Sequence, residues 1–314
     1  MLRGLLIGTA LAAPVAVPAA SPMTYDREVA RLTEGVESLR ERAAARPASW
    51  LERERLAGAL IERGRVTGSF DDWAAAEAAL DEAFAGAPEG AGPFLTRARL
   101  DFTLHRFDRV EASLVAEERR LLLDDPARAG ILALRADVLL QQGRTAEAVA
   151  GFEAALALHE APDCLARLAL AERKAKNAVR AEALYREAQA KDHGAPAWAR
   201  AWLHLQLGLL DLDAGRPDDA LAHYADAEAE LSGWWLVDEH MAQALAAVGR
   251  SEEAARLYAG VAERTGRPAP MNALAALERK FRDFDEAKRW TERAHRAEHE
   301  VAARFPEAAH GHSH

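Results

Sequence analysis

Residues 143–155 read Gly-Arg-Thr-Ala-Glu-Ala-Val-Ala-Gly-Phe-Glu-Ala-Ala, residues 215–227 read Gly-Arg-Pro-Asp-Asp-Ala-Leu-Ala-His-Tyr-Ala-Asp-Ala, and residues 249–261 read Gly-Arg-Ser-Glu-Glu-Ala-Ala-Arg-Leu-Tyr-Ala-Gly-Val. Each begins with a Gly-Arg pair and carries a small residue, an aromatic and another small residue at fixed offsets: Gly143, Ala148, Phe152, Ala155; Gly215, Ala220, Tyr224, Ala227; Gly249, Ala254, Tyr258, Val261. Gly215 and Gly249 lie 34 residues apart. Two looser copies, Lys176, Ala181, Tyr185, Ala188 and Arg282, Ala287, Thr291, Ala294, keep the same spacing. Alanine is common here, but aromatics are only 6% of the chain and fill four of these five slots. The sequence is therefore read as a repeat before any domain is drawn.

The spacing has a physical reason. Positions four and then three apart fall on one face of a helix. A small residue is required where two helix axes approach closely, which assigns that role to Ala136, Ala148, Gly208, Ala220, Ala242 and Ala254. The ring of Phe152, Tyr185, Tyr224 or Tyr258 fills the space against the next unit. Glycine at the turn permits the positive φ that ends the first helix. A single helix pair cannot bury its own apolar face, so the units must stack.

The Gly-Arg turns, the acidic-Ala pairs that follow (Glu147-Ala148, Asp219-Ala220, Glu253-Ala254, Glu286-Ala287), Leu207-Gly208, and Pro162 and Pro268 near unit boundaries resemble the tetratricopeptide repeat family. The resemblance implies an all-α, right-handed superhelical solenoid of antiparallel helix pairs, about seven of them over residues 50–303. Residues 24–47, with Val29, Leu32, Val36 and Leu39 on one face and Pro47 behind them, read as a capping helix. The family fold also implies a concave channel for a partner protein or peptide. By helical phase its lining includes Arg99, Asp137, Arg173, Trp202, Gln243, Asn272 and Arg279, with Trp202 and the arginines as the stronger anchors. The Lys–Asn pattern by which some members hold a C-terminal carboxylate is absent at matching places. Of the pair Trp234-Trp235, one ring is expected in the core and the other as an exposed contact.

The first twenty residues read as an address. Met1-Leu2-Arg3 is a short basic start, Leu5 to Ala13 an apolar run, and small residues continue through Ala20, the order of a secretory signal. Pro14 and Pro18 break the run below the roughly 20 residues a spanning helix needs. The expectation is export to a bacterial periplasm or beyond, with no membrane span after cleavage. The 314 residues carry 40 Lys+Arg against 50 Asp+Glu, a net charge of −10. That sign repels phosphate backbones, so nucleic acid is not the expected partner. The single cysteine, Cys164, excludes an intrachain disulfide and reads as a small hydrophobe on a helix.

Motifs for catalysis are scarce: there is no P-loop, dinucleotide fingerprint or nucleophile elbow. His295-Arg296-Ala297-Glu298-His299 spells the inverted zinc-protease string and puts His295 and His299 one helical turn apart. Only fifteen residues follow, too few for the further ligand a peptidase requires, so no enzyme is expected. Five of the eleven histidines, His295, His299, His310, His312 and His314, fall in the last twenty residues. They offer the alternative of a metal-handling accessory that chelates Ni²⁺, Cu²⁺ or Zn²⁺ on its tail, residues 304–314. Otherwise no cofactor is expected.

Overall fold

The computed structural model describes residues 23–119, 122–191 and 194–305. The segment 1–20, read above as a secretory signal, and the tail histidines His310, His312 and His314 lie outside the described residues. Among these residues every regular element is a helix, and one isolated β-bridge joins Thr24 to Ser232. A first helix, α1 (Tyr25–Ala45), is followed by seven antiparallel pairs: α2 (Trp50–Thr67) with α3 (Phe70–Gly86), α4 (Phe94–Thr103) with α5 (Phe107–Glu118), α6 (Asp125–Gln141) with α7 (Thr145–Leu158), α8 (Pro162–Lys174) with α9 (Ala178–Lys191), α10 (Ala197–Asp213) with α11 (Pro217–Glu230), α12 (Trp235–Ala247) with α13 (Ser251–Thr265), and α14 (Pro268–Phe281) with α15 (Phe284–Arg304).

One packing rule runs through all seven pairs. On the second helices the buried face is Ala76-Leu80-Ala83, Val110-Leu114-Glu117, Ala148-Phe152-Ala155, Ala181-Tyr185-Ala188, Ala220-Tyr224-Ala227 and Ala254-Tyr258-Val261, with Ala287 and Ala294 in the last pair. The first helices answer with a buried small residue in each pair: Gly64, Ala98, Ala136, Ala169, Gly208, Ala242 and Ala275. At Gly208 the approach leaves no room for a side chain, because a Cβ there would stand 2.8 Å from Tyr224 Cδ1 and nearer still to Cε1. Gly64 is held in the same way by the Trp73 indole. Pairs two and one were harder to see in sequence because Leu114 and Leu80 occupy the aromatic slot.

The turns repeat as well. Arg144 N–H donates to Leu139 O at 2.9 Å, Arg216 to Asp211 O at 2.9 Å, Arg250 to Leu245 O at 2.9 Å and Arg106 to Asp101 O at 2.8 Å, the bond that closes a helix C-terminus around a left-handed residue. That residue is Gly143 (φ 77°), Gly215 (φ 72°) or Gly249 (φ 85°), but it is His105, Lys176 or Arg282 in three further pairs, at φ 59°, 64° and 67°. The L-residues carry the conformational strain that glycine avoids.

Curvature accumulates until the chain meets its own beginning. Trp234 and Trp235 are both buried, and both indoles donate to Val66 O, at 3.0 and 2.9 Å. The expected exposed ring does not exist; a carbonyl freed at the end of α2 takes both N–H groups, which lets two large rings enter the core together. Gly68 (φ 74°) leaves room for the Trp235 ring, over which Arg267 stacks at 4.6 Å. Trp198 Nε1 donates to Glu62 at 3.3 Å, Phe305 lies on Phe70 with centroids 5.0 Å apart, and Arg304 pairs with Asp71. At the front, Tyr25 N–H donates to Ser232 O (2.8 Å) and Ser232 N–H to Met23 O (3.0 Å). The solenoid thus closes on itself, its first pair held by the last three.

Candidate binding site in the concave wall

The residue one position past the buried small residue of a first helix is rotated about 100° away from the helix-pair seam. Along the chain this row reads Arg65, Arg99, Asp137, Leu170, Leu209, Gln243 and Ala276. It is charged over the first three pairs and apolar in the next two. Arg167, one turn before Leu170 on α8, reaches back to Asp137 at 3.1 Å. Four successive first helices, α2, α4, α6 and α8, therefore each bring one charge to a common place.

The electrostatics there is strained. Burial holds Arg65 below the ordinary guanidinium value, and the cations Arg167 and Arg99 push it further than Glu62 and Asp137 pull it back. Arg99 is lowered by burial and then by Arg167, against Asp163 and Glu54. Yet both residues are exposed. Many protein atoms around a group that is still exposed is the condition of a concave wall, and the two observations together put Arg65 and Arg99 on one. Neither makes an ion pair or a side-chain hydrogen bond with a described residue. Burial also pushes Asp137 up to about 6, although Arg167 and Arg65 oppose it. Arg167 is raised, burial opposing the pull of Asp137 and Asp163.

Of the residues assigned to the lining from sequence, Arg99 and Asp137 meet in this cluster. Arg173 lies further along α8 and is committed to Asp213 (2.9 Å) and Gln206 (3.1 Å). Trp202 is half-buried, edge-on to Tyr185 at 6.3 Å. Gln243 is exposed beside His240, at 3.3 Å. Asn272 and Arg279 turn toward the α15 seam, donating to Glu298 (3.1 Å) and Thr291 (2.9 Å). His295 and His299 are exposed on α15. Arg65 and Arg167 were not foreseen. Arg65 follows Gly64 as Arg99 follows Ala98, a signal hidden because the first pair has no Gly-Arg turn and holds Leu80 in the aromatic slot; Arg167 lies off the row and only the fold brings it in. Cys164 is buried against Phe152, its thiol pushed up to about 11 by burial.

No family model matches the sequence, and no curated protein matches it. Among solved structures, PilF of Pseudomonas aeruginosa superposes with a TM-score of 0.50 at 19% identity over 68% of this chain and 93% of its own. The human IFIT1 dimer with PPP-AAAA gives 0.55 at 13% identity over 87% of this chain and 68% of its own. These identities speak to the fold, which is the helix-pair solenoid that the repeat spacing describes.

Proposed function

We propose that this chain, a solenoid of the tetratricopeptide-repeat fold, is a binding scaffold whose lumen takes an extended, carboxylate-bearing segment of another protein. The observation that carries the reading is the pair of unpartnered, mutually repelling guanidiniums, Arg65 and Arg99, on the lumen wall. A carboxylate placed between them would accept charge-assisted hydrogen bonds and relieve the repulsion. Beyond them the row turns apolar at Leu170 and Leu209, which suits a segment whose acidic residues are followed by hydrophobic ones. Nucleic acid fits less well: Asp137, Asp163, Glu62 and Glu54 stand beside the arginines and would face its continuous phosphates. The basic-apolar leader at residues 1–20 supports an exported scaffold, and N-terminal sequencing of protein from the envelope fraction tests that part.

The binding test is anisotropy of labelled peptides, acidic-then-apolar against basic and neutral controls, with single-stranded RNA as a competitor. Arg65→Gln and Arg99→Gln should each weaken the acidic peptide about 10–100-fold, the equivalent of roughly 1.5–3 kcal/mol for a hydrogen bond to a charged group. Both variants should unfold no more easily than the parent, because each removes a repelled cation. Unchanged affinity in both would reject the lumen as the site; tighter binding of RNA than of any peptide would reject the partner class.

A further inference from the structure

The fifth pair carries a second arrangement, far in sequence from the histidine-rich tail. His204 on α10 and His223 and Asp226 on α11 each bring one ligand atom into a cluster, all within 4.8 Å of one another. His204 Nδ1 lies 3.7 Å and His223 Nδ1 3.9 Å from Asp226 Oδ2. Both Nδ1 atoms are buried and have no hydrogen-bond partner, a state that ordinarily costs a folded protein stability. We propose that His204, His223 and Asp226 are a divalent-metal site of the zinc class that staples α10 to α11.

The chemistry of the donor set fits. Two imidazoles and a carboxylate suit Zn²⁺ and its borderline neighbours, with water in the remaining position. Metal–ligand bonds near 2.1 Å in a tetrahedron put ligand atoms about 3.4 Å apart, so the two contacts to Asp226 need to close by only a few tenths of an ångström. The supporting shell is also in place. The other ring nitrogen of His223, Nε2, faces Asp211 Oδ2 at 3.6 Å, and Asp211 is itself held by Arg216. A carboxylate behind a ligating histidine fixes its tautomer and raises its basicity. His223 also lines the groove between α9, α10 and α11, so the ion has a way in. His295 and His299 belong to no such set among the described residues.

Zn²⁺ and Co²⁺ titrations of the full chain test the proposal, with chelator competition for affinity and Co²⁺ absorption for geometry. Parallel titrations use a variant in which His295, His299, His310, His312 and His314 are all Ala. The expected result is one tight equivalent that survives in the tail variant, shows the visible bands of four-coordinate Co²⁺, and raises Tm by roughly 5–10 °C at a hundredfold excess over Kd. Asp211→Asn should weaken it about 10–100-fold and His223→Gln more. His204→Gln provides a second ligand variant should His223→Gln fold poorly. Metal uptake that vanishes in the tail variant, or persists undiminished in His204→Gln and His223→Gln, overturns the proposal, as does the lack of any saturable binding.

Discussion

Replacing Gly208 by Ala is the sharpest probe of how these helix pairs fit together. In an exposed helix interior Gly→Ala stabilises by roughly 0.5–1 kcal/mol, because alanine loses less backbone entropy on folding. Gly208 reverses that sign. The added Cβ would stand 2.8 Å from Cδ1 and 3.0 Å from Cζ of Tyr224, a ring that is fully buried between Ala220 and Ala227. Neither the ring nor the helix backbone can give way without opening its neighbours, and overpacking of this kind costs about 1–3 kcal/mol. The cost exceeds the helix gain, so Gly208→Ala should lower stability by up to about 2 kcal/mol, roughly 2–4 °C in Tm for each kcal/mol. Gly58 supplies the control. It sits within α2 with nothing within 4 Å of its virtual Cβ, and Gly58→Ala should raise stability by about 0.5–1 kcal/mol. Adding Tyr224→Leu to Gly208→Ala should recover part of the loss, with a coupling of about 1 kcal/mol or more in a urea-unfolding double-mutant cycle. If Gly208→Ala is as stable as Gly58→Ala, the close approach of first and second helices, and with it the repeat geometry, is wrong.

Lys176 and Arg282 occupy the left-handed turn position that is glycine in three other pairs, so Lys176→Gly and Arg282→Gly should each raise stability by about 0.5–1 kcal/mol in thermal unfolding. Asp137, pushed up to about 6, holds its proton more tightly in the folded chain than in the unfolded one. Its contribution to stability is complete below about pH 4 and is lost as pH rises through about 6. The same titration makes the lumen more positive on acidification, so an acidic peptide should bind more tightly at pH 5.5 than at pH 7.5, and Asp137→Asn should flatten that dependence.

The fold was legible in sequence to the extent that each pair obeyed one local rule. Phe152, Tyr224 and Tyr258 announce their slots because aromatics are rare, whereas Leu80 and Leu114 do the same work with a residue too common to stand out. The small residues Ala98, Ala169 and Ala275 are invisible among so many alanines until the register is known. Closure was not legible at all. It depends on curvature summed over seven pairs, and Val66 and Trp235 are separated by 169 residues with no local sign that they meet. The lumen site inherits that limit: helical phase finds Arg99 and Asp137 on one row, but the convergence of Arg65 and Arg167 on them is set by how successive pairs are rotated. Asn272 and Arg279 show the converse, since phase alone does not reveal that α15 captures them.

Closure is what turns a row of charges into a lumen, and cysteines introduced at Asp71 and Arg304 measure it most directly. With Cys164 buried and unreactive, a short bifunctional maleimide should join positions 71 and 304 within one chain in native buffer. The same reagent should fail once Trp234 and Trp235 are both replaced by Ala. Efficient intrachain cross-linking that depends on the two tryptophans is the predicted result; a native chain that does not cross-link would show an open solenoid and contradict the shared lumen of Arg65, Arg99, Asp137 and Arg167.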